Sequence, residues 1–270
     1  MSPPDSAQRP LDAIGEGEPI ISFRNVHKSF GDKHILRGID LDIDRGRTTV
    51  VIGPSGTGKS VTMKLIVGLL VPEEGDVWVA GTNVPEASED QLMAVRRRIG
   101  MMFQDGALFD SMTVGDNIAF PLRRHTKMGE GEIADRVAAA LEKVDLPGLE
   151  ERMPSALSGG MRKRVSLARA IITEPEIVMF DEPNSGLDPL TSDEIDALIS
   201  HMKEELGITF VVISHDIVGT FAVADSIAML YGGRLVAHDS PEAILRSEEP
   251  ILRRFLARNM DLPPLPGAAS

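Results

Sequence analysis

The sequence predicts an α/β fold built on a mainly parallel sheet. Residues 48–53 (Thr-Thr-Val-Val-Ile-Gly), 177–180 and 208–214 are continuous apolar runs, the pattern of strands covered on both faces. The first of them feeds a glycine-rich loop and then a segment with helical spacing over residues 59–70. Between about residues 105 and 167 the chain reads as loops and helices with no clear strand, so the sheet is interrupted by a helical insertion.

Residues 1–19 are rich in Pro, Glu, Asp and Gly. Too few large apolar groups are present there to offset the entropy of ordering, and a disordered tail is predicted. This stretch also lacks the basic, then apolar, then small-residue layout of a secretory signal. Short strands follow over residues 20–23 and, with alternating apolar positions, over residues 39–43. The helix over residues 59–70 would present Leu65, Ile66, Leu69 and Leu70 on one face. A second helix is predicted over residues 135–146. Residues 228–231 and 234–237 flank Gly232-Gly233, a two-residue hairpin signal. Ser240 and Pro241 read as an N-cap and first helical position. Residues 250–260 read as a short helix offering Ile251, Leu252, Phe255 and Leu256 to a partner, and residues 262–270 as a Pro-rich disordered end. No internal repeat is present.

Bulk properties narrow the function. At 270 residues and 42% hydrophobic content the chain can build one large α/β domain or two small ones. A net charge of −13 argues against a general nucleic-acid binder, which needs a basic footprint. There is no cysteine, which excludes disulfides and thiolate metal sites. No apolar run approaches the roughly 18–20 residues that span a bilayer. If the protein works at a membrane, another chain must hold it there.

Gly53-Pro54-Ser55-Gly56-Thr57-Gly58-Lys59-Ser60 fits G-x-x-x-x-G-K-[ST] between a strand and a helix. Backbone N–H groups of such a loop point at phosphate oxygens, and the helix N-terminus adds a favourable dipole. Lys59 would reach the β- and γ-phosphates, Ser60 would ligate Mg2+, and Val61 follows them on the helix. Asp181 and Glu182 end a buried strand, so their carboxylates emerge at the carboxyl edge of the sheet. Asp181 would hold the Mg2+ through water, and Glu182 would act as general base on the attacking water. Leu157-Ser158-Gly159-Gly160-Met161 opens a helix whose apolar face is Val165, Ala168, Ile171 and Ile172, and a helix start with glycines and a hydroxyl is an anion site.

With these segments in this order, the chain resembles the ABC-type ATPases, over about residues 20–245. The resemblance implies a P-loop NTPase core with a mainly parallel sheet, an antiparallel β subdomain and an inserted helical subdomain at about residues 105–167. Residues 246–270 would form a C-terminal extension. It also implies a homodimer with ATP and Mg2+, in which Ser158, Gly159 and Gly160 complete the nucleotide pocket of the opposite copy. By the same resemblance Gln104 senses the γ-phosphate and Mg2+, His215 contacts the γ-phosphate, and Ser185-Gly186-Leu187-Asp188 links the two sites. Phe30 stands where the family usually has Tyr and would stack on adenine, which needs a π face rather than a hydroxyl. Met161 stands where most members have Gln, at the edge of the anion site.

An ABC cassette without membrane spans implies a permease partner, and residues 102–109 would line the groove where that partner docks. Residues 104–109, residues 117–123 and the Gly-Gly-Met ending resemble the Mla-type (Mce-linked) phospholipid transport ATPases. That implies an integral membrane permease (MlaE-like), MCE-domain and STAS-domain subunits, and a peripheral place at the cytoplasmic face of the inner membrane. Two alternatives stay open, a cassette for another cargo such as a polar amino acid and an ABC ATPase outside transport.

Overall fold

A computed structural model describes residues 18–260. The tail expected over residues 1–19 falls almost wholly outside them, as does the Pro-rich end over residues 262–270. In chain order the elements are β1 (Ile21–Phe30), β2 (Lys33–Ile43), β3 (Thr48–Ile52), α1 (Lys59–Ile66), β4 (Glu74–Val79), β5 (Thr82–Asn83), α2 (Glu89–Arg97), β6 (Ile99–Met102) and α3 (Val114–His125). There follow α4 (Glu130–Lys143), α5 (Gly159–Ile171), β7 (Ile177–Asp181), α6 (Pro189–Leu206), β8 (Thr209–Ile213), α7 (Ile217–Val223), β9 (Ser226–Tyr231), β10 (Arg234–Asp239), α8 (Pro241–Arg246) and α9 (Pro250–Asn259). They fall into two compact units, one made of the described residues up to Glu86 and from Ile213 onward, the other of Ala87–Val212.

In the first unit β2, β1, β4 and β5 form an antiparallel sheet, while β3 runs parallel to β9 and β9 antiparallel to β10. β1 and β2 run well beyond the short strands their apolar residues predict. Register shifts after Phe23, Val26 and Lys28 break the alternation that marks a strand in sequence, and polar His27, Lys28 and Ser29 carry the pairing onward. Helix α1 stops at Ile66, four residues earlier than expected, because the chain turns off through Gly68; Leu65 and Ile66 are buried and Leu69 is exposed. The Gly232-Gly233 turn joins β9 to β10 as expected. Ser240 caps α8, its hydroxyl accepting from the Ala243 N–H at 3.3 Å. Helix α9 forms where expected, but Leu252 and Leu256 are fully buried, so it packs on its own unit rather than holding both leucines out for a partner.

The second unit carries β6 parallel to β7, with β8 on the other side of β7. Strand β6 gives no sequence signal because Gly100 occupies its centre. A Cβ there would lie 2.1 Å from the Ala170 carbonyl oxygen, so the bare residue lets α5 lie directly on the strand. Phe180 and Phe210 meet edge to face at 5.2 Å beneath the sheet. Helix α2 begins with a capping box, Ser88 and Gln91 each satisfying the other's backbone N–H. No strand lies between residues 105 and 167, as expected, and α4 begins at Glu130, five residues before the predicted start.

Asn117 on α3 is fully buried and organises the irregular chain before the helix. Its side-chain oxygen accepts from the Phe109 N–H at 2.7 Å, and its amide donates to the carbonyls of Phe109, Met112 and Thr113 at 3.1, 3.3 and 2.9 Å. Asn117→Ala strands these groups and is expected to lower stability by about 2–3 kcal/mol in urea unfolding.

Candidate functional site

The loop between β3 and α1 is shaped by what its glycines lack. Gly53 has φ 144°, and a Cβ there would meet the Leu230 carbonyl oxygen of β9 at 2.1 Å. Gly58 has φ 107°, and a Cβ would strike Leu36 Cδ2 at 2.4 Å. These close approaches draw the loop in around Lys59, whose buried Nζ donates to the carbonyls of Gly53 and Pro54 at 2.7 and 3.2 Å. Thr57 Oγ1 closes the turn on the Pro54 carbonyl at 2.9 Å. Ser55, Gly56 and Ser60 face solvent, and Val61 is half-buried on the helix. The hairpin turn flanks the same region, since the Gly233 carbonyl accepts from the Arg37 N–H at 2.8 Å. A Cβ on Gly233 would lie 2.7 Å from the Ile35 carbonyl.

Two further expected residues lie in this unit. The Ser214 N–H donates to the Val51 carbonyl at 3.3 Å, which sets exposed His215 level with the carboxyl end of β3. Asp216 then caps α7 through the Gly219 N–H at 3.2 Å, fixing the turn that carries His215. Phe30 ends β1 and is 49% exposed, so it is no core residue; the Lys28 ammonium lies 5.5 Å from its ring centroid.

In the second unit Asp181 and Glu182 are half-buried at the end of β7, and Glu182 holds φ 51°, a left-handed conformation that few non-glycine residues adopt. Gln104 follows β6, and its side-chain amide donates to Ser185 Oγ at 3.1 Å. Ser158 caps α5, its hydroxyl accepting from the Met161 N–H at 3.2 Å. Gly160 lies against α6, where a Cβ would meet Thr191 Cγ2 at 2.6 Å, and Gly159 faces Leu187. Asp188 caps α6 from Thr191, whose hydroxyl donates to it at 2.7 Å and holds the carboxyl below its usual pKa. A cavity of about 390 Å3 opens between Gln104, Asp105, Gly159, Lys163, Ser185 and Leu187.

Sequence reasoning missed a seam of donors on α5. Lys163, Ser166 and Arg169, three residues apart, turn inward and donate to the backbone after β6. Lys163 donates to the Gln104 carbonyl. Ser166 Oγ donates to the Gly106 carbonyl at 2.9 Å, and Arg169 to the carbonyls of Ala107 and Gly106, each at 2.8 Å. Burial pushes the pKa of both Lys163 and Arg169 down. The available signal was spacing: Gly160, Lys163, Leu167 and Ile171 share one helix face, so a charged residue interrupts a buried stripe.

A second, larger groove of about 830 Å3 also lies in this unit. Phe103, Phe109 and Phe120 line it, all exposed, with the Phe109 and Phe120 rings 5.1 Å apart. Arg97 and Arg169 add positive charge to it. Burial, then Arg97 and Arg124, hold the His125 pKa below the usual range. Met102 and Leu108, expected to line such a surface, are buried instead.

A glycine loop folded round a lysine between a parallel strand and a helix defines a phosphate-loop nucleotide-binding protein. The family described as ABC transporter matches residues 36–185, more than half of the chain. The probable ribonucleotide transport ATP-binding protein mkl of Mycobacterium leprae is 44% identical over 236 residues, covering 87% of this chain and 68% of that protein. The intermembrane phospholipid transport system ATP-binding protein MlaF of Escherichia coli K12 is 42% identical over 237 residues, 88% of each chain. Among solved structures, the dimeric post-hydrolysis state of the ATP-binding cassette MJ0796 bound to ADP and Pi has a TM-score of 0.74 at 31% identity, covering 82% of this chain and 98% of that one. The chain belongs to the ABC transporter family, as one of its ATP-binding cassettes. Among the described residues no helix is long and apolar enough to cross a membrane.

The loop geometry separates two glycines that look alike in sequence. Gly53→Ala forces a Cβ onto the Leu230 carbonyl and is expected to abolish ATP binding or folding of the first unit. Gly56→Ala meets open space at φ 78° and is expected to cost only about 1–2 kcal/mol of backbone strain. Equilibrium binding of a fluorescent ATP analogue, with circular dichroism as the folding control, distinguishes the two.

Proposed function

We propose that this chain is the ATP-hydrolysing subunit of a transporter that moves phospholipid across the bacterial cell envelope. It works as a homodimer at the cytoplasmic face of the inner membrane. The observation that carries the catalytic reading is the loop of residues 53–58, closed over the Lys59 ammonium with no room for side chains at Gly53 or Gly58. Nucleotide phosphates would draw the Lys59 ammonium from the carbonyls of Gly53 and Pro54 into charge-assisted hydrogen bonds. The backbone from Gly53 to Val61 cradles the phosphates, and Phe30 stacks on adenine.

Glu182 accepts the proton of the attacking water, His215 holds the γ-phosphate, and Gln104 reports its presence. Ser158 already caps its own helix, which leaves the first-turn N–H groups of Gly159 and Gly160 to bind the phosphate held by a second copy. Among the described residues no cluster of three or more His, Asp or Glu could cage a metal. Mg2+ held jointly with phosphates takes hard oxygen donors, and the family resemblance assigns that part to the Ser60 hydroxyl, the Asp181 carboxylate and the Gln104 amide oxygen. Bound there, Mg2+ supplies neutralisation of phosphate charge.

The groove of Phe103, Phe109 and Phe120 fits a cytoplasmic helix of the integral permease (MlaE-like), with MCE-domain and STAS-domain subunits completing the assembly. Support for a phospholipid cargo comes from relatives named MlaF, of which this chain spans 88% in Escherichia coli and 92% in Haemophilus influenzae. It spans 68–69% of the relatives named for ribonucleotide transport.

Glu182→Gln is expected to cut ATP turnover by about 10²–10⁴-fold while retaining an ATP-bound dimer by size-exclusion chromatography. Lys59→Ala is expected to lose nucleotide affinity; normal hydrolysis by that variant would refute the phosphate-loop reading. Phe109→Asp with Phe120→Asp is expected to abolish co-purification with the membrane subunits in detergent and leave ATP binding intact. Reconstituted complex that moves labelled ribonucleotide but no labelled phospholipid would overturn the cargo assignment.

A further inference from the structure

The most unusual charge in the second unit is Lys163. It sits on the buried stripe of α5, 5% exposed, where an apolar residue would complete the face without desolvating an ammonium. Its Nζ donates to the Gln104 carbonyl and makes a longer contact, 3.4 Å, with the Glu182 carbonyl. The carboxylates of Asp105, Glu182 and Asp181 attract it and offset part of its desolvation. Its neighbours on the donor seam, Ser166 and Arg169, hold the following carbonyls of the same segment, Gly106 and Ala107. Lys163 is the member of that seam that also reaches across to β7.

The backbone it reaches at Glu182 is in a left-handed conformation. Glu182 holds φ 51°, a region non-glycine residues keep only where their surroundings enforce it, and the direction of its side chain follows from that peptide geometry. Gln104 hangs from the other carbonyl, and its amide is already turned toward Ser185 in the turn that follows Glu182. One ammonium thus ties the helix begun by Ser158 to two separate segments, each bearing a side chain assigned to hydrolysis.

We infer that Lys163 is a positioning residue for ATP hydrolysis: its ammonium fixes the backbone of Gln104 and Glu182 together, and so sets the aim of both side chains. The inference rests on the reading of Glu182 as general base. The Lys163 ammonium is taken up by main-chain carbonyls, so its removal is expected to act on the chemical step and spare ATP binding.

The test compares Lys163→Met, which keeps length and removes the donors, with Lys163→Arg, which keeps them. In the full-length protein, Lys163→Met is expected to lower kcat by about 10- to 100-fold, the effect of losing charged hydrogen bonds to the backbone. KM for ATP, equilibrium ATP affinity and the thermal midpoint stay near wild type, and Lys163→Arg recovers much of kcat. If Lys163→Met fails to fold, Lys163→Gln provides the same comparison with a shorter neutral donor. Wild-type kcat in the neutral variant overturns the inference, as does a joint fall of affinity, midpoint and kcat. Glu182→Gln measured alongside separates the two claims. An active Glu182→Gln refutes the base reading, whereas an inactive one beside a fully active Lys163→Met refutes only the positioning role.

Discussion

At Gly53 a strand carbonyl comes within 2.1 Å of where any other residue would place its Cβ. That contact fixes how closely the end of β9 approaches the loop, and with it the curvature that turns backbone carbonyls onto Lys59. Those carbonyls accept from the buried ammonium, so the loop holds a cation at its centre. A lysine placed among the inward-facing backbone groups of such a loop favours a multivalent oxyanion. The glycines are what allow loop and lysine to take this arrangement before nucleotide arrives.

The second unit solves a different problem with the same chemistry. The segment after β6 has no regular structure, yet it carries Gln104 and the aromatic residues of the large groove. The carbonyls of Gln104, Gly106 and Ala107 are met by Lys163, Ser166 and Arg169, and those of Phe109, Met112 and Thr113 by Asn117. Irregular backbone held in this way cannot relax without breaking buried hydrogen bonds. The protein is acidic overall, but these internal cations are placed where main-chain oxygens, not surface carboxylates, receive them.

Much of this was legible in the sequence, for physical reasons. β3, β7 and β8 are short, apolar and covered, and their composition alone marks them. The glycine loop, the Gly232-Gly233 turn and the Ser240 cap each depend on one or two residues with strong local preferences. What escaped was set by partners distant in sequence. β1 and β2 continue through bulges that only their pairing explains, and β6 hides a glycine required by Ala170. Leu252 and Leu256 look like a docking face until α9 is seen to bury them. Lys163 was not singled out, because its charge interrupts the buried stripe of α5 instead of continuing it.

The Gly232-Gly233 turn does more than join β9 to β10. In the fold it leans on β2 at Ile35 and Arg37, the strand whose Leu36 also confines Gly58, while β9 just before it delivers the Leu230 carbonyl to Gly53. A turn almost two hundred residues downstream therefore acts as the keystone of the phosphate loop. A loop transplanted without its matching turn would arrive without the walls that shape it.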